Sequence, residues 1–195
     1  MDALPNIEEV MIMIKPIETR YKGYRFRSRL EARWAVLFDT LGVQYQYEVE
    51  GFELDDFNKT IRYLPDFLLL KDGRPHFWVE VKPYMPPLED VHKLSLLCKD
   101  SDHNGLLLVG EPEMDALGLC VHSNELHMDV FTPSLQIFRH FELIWLLSGT
   151  AADPVTEEMR LTGNPAKYHA FIEDVFIAAR SARFEFGEKG REGHS

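Results

Sequence analysis

Apolar and polar positions change their period several times along the chain, and each change predicts an element. Leu30, Trp34, Leu37, Phe38 and Leu41 recur at i, i+4, i+7, i+8 and i+11, a single stripe of 3.6-residue period. Ser28 suits an N-cap and Gly42 a stop, so the spacing predicts a helix over 28–41. Residues 44–50 alternate strictly: Tyr45, Tyr47 and Val49 face one way, and Gln44, Gln46, Glu48 and Glu50 the other. That is the pattern of a half-buried strand. Residues 61–70 predict a second strand, which Pro65 interrupts because it has no amide hydrogen for the ladder. Lys71-Asp72-Gly73-Arg74-Pro75 reads as a turn, and residues 76–82 as a third strand closing a hairpin with the second. Residues 87–99 predict a helix with Leu88, Val91, Leu94, Leu97 and Cys98 on one face and Pro86-Pro87 at its start. Residues 105–110 form a short all-apolar run, the kind of strand that is buried on both faces.

The pattern weakens on either side of this stretch. Residues 1–19 have no clean period and read as an extension. After Glu111, two amphipathic segments at 134–148 and 165–183 predict helices. The expectation is an α/β fold whose core, residues 20–110, runs helix, three strands, helix, strand. Residues 111–195 would be a helical C-terminal appendage packed on that core as part of one domain. A length of 195 residues with 45% apolar and 27% charged residues fits one globular unit. No apolar stretch reaches the length of a membrane span. Asp2, Glu8 and Glu9 stand where a secretory signal would be basic. Cys98 and Cys120, the only cysteines, are therefore expected to be reduced thiols in a cytoplasmic protein. Two cysteines also exclude four-cysteine zinc modules.

Net charge is −11, which argues against a general nucleic-acid coat protein. Its distribution matters more. Residues 15–33 carry Lys15, Arg20, Lys22, Arg25, Arg27, Arg29 and Arg33 against Glu18 and Glu31, a local balance of +5 that leaves −16 over the rest. A local phosphate-binding strip and an acidic face suited to a protein partner are both compatible with this.

Asp66, Glu80 and Lys82 are the residues that point to chemistry. Fourteen positions and a tight turn separate Asp66 from Glu80, so pairing of the two strands can bring the carboxylates side by side. Alternation in 76–82 puts His76, Trp78, Glu80 and Lys82 on one face. Two converging carboxylates suit a hard cation such as Mg²⁺, which can activate water at a phosphoryl group. A neighbouring lysine can orient that water or stabilise charge on the phosphate. Against this stands the plain alternative of a solvated charged face. Glu31 likewise has two readings: a third carboxylate beside the sheet, or the N3 glutamate of a capping box starting at Ser28.

The series Tyr24-Arg25-Phe26-Arg27-Ser28-Arg29-Leu30-Glu31, Tyr47-Glu48, Tyr63-Leu64-Pro65-Asp66-Phe67 and Val79-Glu80-Val81-Lys82-Pro83 resembles the PD-(D/E)xK nuclease superfamily. It looks closest to its small phage-type and Holliday-junction-resolvase-like members. The resemblance covers residues 20–110 and implies a restriction-endonuclease-like core with a metal-dependent DNA endonuclease activity. It implies Asp66, Glu80 and the Val81 carbonyl as ligands of Mg²⁺ or Mn²⁺, with Glu31 as the helix glutamate that many members add. Lys82 would be the catalytic lysine, and Lys93 a basic helper one helix later. Lys22, Arg25, Arg27 and Arg29 would then hold the DNA backbone, and cutting both strands would call for a homodimer. RNA stands as a second candidate substrate, and a non-catalytic or partner-dependent subunit of a larger nucleic-acid complex as a second function. The acidic surface departs from the pattern of a protein that binds DNA tightly by itself.

Other chemistries find less support. The eight histidines show no HxH or HxxxH spacing. There is no GxGxxG, no Walker loop and no GxSxG elbow. Cys98 lies on an apolar helix face, the place of a core residue rather than a nucleophile.

Overall fold

The computed structural model describes residues 16–113, 117–121, 123, 128–131 and 165–184. The chain opens with a small hairpin of β1 (Thr19–Tyr21) and β2 (Tyr24–Phe26). Helix α1 (Arg29–Thr40) follows, started by Ser28, whose side chain accepts a hydrogen bond from the Glu31 amide. Then come β3 (Gln44–Tyr47), the hairpin β4 (Phe52–Asp56) and β5 (Lys59–Tyr63), β6 (Phe67–Lys71) and β7 (Arg74–Lys82). Helix α2 (Leu88–Ser101) leads to β8 (Asn104–Val109), β9 (Leu117–Val121) and β10 (Met128–Phe131), and α3 spans Pro165–Ser181.

Six of the strands form one mixed sheet in the order β10-β9-β8-β7-β6-β3. Only β7 and β8 are parallel, and α2 provides the crossover that a parallel pair requires. The fold is thus mixed α/β, with three helices among the described residues. The β6–β7 turn is tight because Asp72 and Gly73 both take positive φ, 52° and 73°, as a two-residue hairpin turn demands.

Alternation along the strands feeds two cores. On one face Phe67, Leu69, Phe77, Val79, Val81, Leu106 and Leu108 pack with Trp34, Leu37 and Phe38 of α1 and with Val175, Phe176 and Ala179 of α3. On the other, Leu68, Trp78, Leu107 and Leu119 pack with Val91, Leu94, Leu97 and Cys98 of α2 and with Leu54 and Tyr63 of the β4–β5 hairpin. Leu94 and Leu97 are wholly buried, each stabilising the fold by about 1.5–3 kcal/mol. Gly105 lets α2 lie this close to β8: a Cβ there would meet the Cys98 Sγ at 2.6 Å and the Leu94 Cγ at 2.9 Å. Cys98 and Cys120 are buried thiols, and burial pushes the Cys98 thiol up to about 12.

Several elements differ from expectation. The segment 61–70 is two strands in two sheets: β5 pairs with β4, and β6 joins the main sheet. Leu64-Pro65-Asp66 breaks it, since Pro65 cannot donate to a ladder. The strand predicted over 44–50 stops at Tyr47, where Glu48 turns left-handed (φ 44°). The sheet also continues past Gly110, where a helical appendage was expected, because β9 and β10 extend it. The predicted helix 134–148 lies outside the described residues, as do residues 1–15 of the expected extension. No helix among the described residues is long and apolar enough to cross a membrane.

Candidate active site

Asp66 and Glu80 meet because of register. Phe67 pairs with Val79 at the end of the β6–β7 ladder, so Asp66, one step before Phe67, lies beside Glu80, one step after Val79. Both carboxylates are buried, at 3% and 6% exposure. Each is held by specific donors. The Val81 amide donates to Asp66 Oδ2 at 2.7 Å, and the Arg27 guanidinium donates to Oδ1 at 2.6 Å. Tyr63 donates its hydroxyl to Glu80 Oε2 at 2.9 Å, while Lys82 Nζ lies 2.8 Å from Glu80 Oε1. Lys82 also reaches Asp90 in the first turn of α2, at 3.4 Å.

Burial, and then the charges of Glu80 and Glu31, push the Asp66 carboxyl well above the ordinary aspartate range, against the lowering pull of the Val81 amide and Arg27. Two carboxylates brought together out of water repel each other, and such a pair favours whatever positive charge can reach it. Burial alone would lower the Lys82 ammonium. The hydrogen bond from Lys82 to Glu80 and the charges of Glu80, Asp90 and Asp66 outweigh this and hold its pKa above the usual lysine value. Lys82 is therefore a charged donor at neutral pH, suited to stabilising negative charge and unsuited to acting as a base. Burial, with Glu80 next, raises the Tyr63 phenol far out of the physiological range, so it too serves as a donor.

Glu31 is buried beside these residues but is occupied by its own helix end. Its Oε1 accepts from the Ser28 hydroxyl at 2.6 Å, and its Oε2 accepts from the Tyr47 hydroxyl and from the Arg27 amide. This is a variant of the capping box in which the glutamate bonds the amide one residue before the N-cap. Among the described residues, no three His, Cys, Asp or Glu side chains come together as a group that could hold a metal ion. Glu31 thus serves as the helix cap in this structure, and its charge is still felt by Asp66. The chemistry left is a pair of oxygen donors, Asp66 and Glu80. That donor set fits Mg²⁺ or Mn²⁺, which completes its shell with waters and substrate oxygens.

The basic strip lies among nearby acids. Lys22 pairs with Asp39 at 3.1 Å, and Arg25 pairs with Glu18. Arg27 turns towards the carboxylates, with Nε 2.6 Å from Glu48 Oε1 and Nη2 on Asp66. Lys93 pairs with Glu89 and Asp90 of its own helix at 3.0 and 3.2 Å. Arg29 is exposed and forms no ion pair among the described residues. Long flexible side chains reach whichever acid is near, and sequence spacing does not specify which.

Tyr63, Glu48, Asp90 and Tyr47 complete the polar network; the first two and Tyr47 stood in the quoted series, but no site role was expected of any of the four. Tyr63 sits at the end of a strand whose partner, β4, carries no clear alternation. Asp90 could have been found, since it falls on the exposed side of the α2 stripe one turn from Lys93. No protein-family model, no curated protein and no solved structure matches the chain.

Proposed function

We propose that the chain is a Mg²⁺- or Mn²⁺-dependent DNA endonuclease of the PD-(D/E)xK kind, built on a restriction-endonuclease-like core. The observation that carries this reading is the pair of buried carboxylates side by side at the end of the β6–β7 ladder, with a charged lysine in contact with the second. Within the main sheet the order α1–β3–β6–β7–α2–β8 supports it, since with the separate β4–β5 hairpin as an insertion after β3 it matches the helix, three strands, helix and strand that the resemblance implies.

Asp66 and Glu80 would hold the cation, with the Val81 carbonyl next to them on the chain as a further candidate ligand. Bound there, the ion would acidify a water and offset charge at the phosphoryl oxygens. The remaining work falls to the protein's own groups. The Val81 amide and Tyr63 hydroxyl fix the two carboxylates, so no rotamer search is needed when substrate arrives. The Lys82 ammonium is positioned to donate to the water or to the phosphate oxygen that gains charge as the water oxygen bonds phosphorus. The bond from phosphorus to the sugar oxygen then breaks, and that oxygen takes up a proton. DNA is the proposed substrate.

The test is Mg²⁺-dependent cleavage of linear, supercoiled and branched DNA. Asp66→Ala and Glu80→Ala should each lower the rate by about a thousandfold or more while leaving the far-UV circular dichroism unchanged. Wild-type protein that cuts none of these substrates would remove the reading. The pairing of Lys22, Arg25 and Lys93 with acids of the same chain favours a second reading, a nuclease-fold subunit brought to nucleic acid by a partner. It would take precedence if the purified protein cleaves nothing and does not bind DNA at low salt.

A further inference from the structure

Arg27 has a fixed root and a free head. Its amide donates to Glu31 Oε2 at 3.1 Å and to the Tyr47 hydroxyl at 3.0 Å, which anchors the backbone at the foot of α1. Its side chain is 53% exposed. The guanidinium nevertheless spans two acids, Asp66 and Glu48, at 2.6 Å each. Glu48 takes a left-handed conformation just after β3, with its amide still donating to the Asp66 carbonyl at 2.9 Å. One of the two oxygens of the best-buried carboxylate in the site is therefore given to a cation already built into the chain.

We propose that Arg27 is a positioning residue that competes with the divalent cation for Asp66 and turns outward to a substrate phosphate when that cation binds, so that metal and DNA bind cooperatively. This rests on Asp66 and Glu80 being the cation site. Two positive charges on one carboxylate repel, and in a partly buried site that repulsion is only weakly screened. Entry of the ion must loosen Arg27 from Asp66. A side chain half in water with an anchored root can swing without disturbing the fold, and a planar guanidinium is the group best matched to a phosphate. By linkage, a phosphate that draws Arg27 away makes Asp66 more available to the ion, and the ion makes Arg27 more available to phosphate by the same factor.

The test is calorimetric titration of Mn²⁺ into the full-length wild type, Arg27→Gln and Asp66→Asn. It is paired with anisotropy of a fluorescent duplex oligonucleotide with and without Ca²⁺. Arg27→Gln should bind Mn²⁺ about tenfold more tightly, within the usual range of coupling between sites. The gain in DNA affinity on adding Ca²⁺ should shrink by a similar factor. Arg27→Lys keeps a charge but cannot span both acids, so its Mn²⁺ affinity should fall between the two. Should the glutamine variant fail to fold, the lysine variant decides. Equal or weaker Mn²⁺ binding in the Arg27 variants, with binding lost in Asp66→Asn, would overturn this proposal and leave the metal site standing. An equal Ca²⁺ gain in wild type and variant would also overturn it. Absence of Mn²⁺ binding in every protein would overturn the site itself.

Discussion

Asp66 and Glu80 are carboxyl groups almost wholly removed from water, whereas Lys22 and Arg25 are cationic side chains mostly in it. The first pair is held by short, rigid strands whose register leaves it nowhere else to go. The second sits on long side chains and has settled on the nearest acids, Asp39 and Glu18. Burial makes each interaction of the first pair consequential, since a lost partner leaves a charge stranded in a low dielectric. Exposure makes each interaction of the second cheap to form and to lose. A charge therefore matters in this molecule according to how firmly its backbone is placed and how dry its surroundings are, and the local density of like charges is a poor guide.

Substituting Lys82 should break the comparison most visibly among single changes that keep both carboxylates. Lys82→Gln is expected to lower the single-turnover rate about a hundredfold with DNA affinity nearly unchanged. A fall confined to affinity would assign Lys82 to binding. Tyr63→Phe removes the hydroxyl that steadies Glu80 and should lower activity or Mn²⁺ affinity about tenfold, in the range of other groups that orient a ligand. Rates and calorimetry equal to wild type would show that Glu80 needs no such support.

A smaller effect concerns stability. The raised Asp66 pKa means that the folded state holds this proton more tightly than the unfolded chain does. Its contribution is full below the ordinary aspartate pKa and is lost as pH rises through the raised folded value. In EDTA, wild type should therefore melt lower as pH rises across that window, and Asp66→Asn should flatten the curve and melt a few degrees higher at neutral pH, roughly 1 kcal/mol. A parallel pH curve in the variant would show that Asp66 is not the group responsible. The smallest effect is expected for Lys22→Ala with Arg25→Ala. Two free phosphate contacts would change the salt slope of DNA affinity by about 1.8 on duplex. Because both cations are already paired, the change should stay below about half of that, and a full change would restore the strip as the DNA contact.

The same contrast explains what could be read before the fold was known. The α1 stripe, its Ser28 cap, the β6–β7 hairpin and the approach of Asp66 to Glu80 follow from short-range periods and one Asp-Gly turn. The β4–β5 hairpin did not show, because Phe52–Asp56 mixes charges without alternation and buries chiefly Leu54. Nor did β1 and β2, at three residues each. The turn of Arg27 towards Asp66 and Glu48 is a choice among nearby acids that sequence does not announce. Glu31 was legible as a cap, and its hydrogen bonds to Ser28, Tyr47 and Arg27 show it in that part.

The shared packing of α1 and α3 sets a schedule for synthesis. Val175, Phe176 and Ala179 complete the same core as Trp34 and Phe38, yet Pro165 lies 125 positions beyond Thr40. At translation speeds of about 5–20 residues per second, roughly 6–25 s pass between the two helices leaving the ribosome. For that interval the apolar back of α1 has no cover from α3, while the strands that carry Asp66 and Glu80 are already made. The nascent chain thus acquires the strands around Asp66 and Glu80 first and the α3 wall of the core last. Interrupted translation would release a fragment whose exposed helix face invites aggregation.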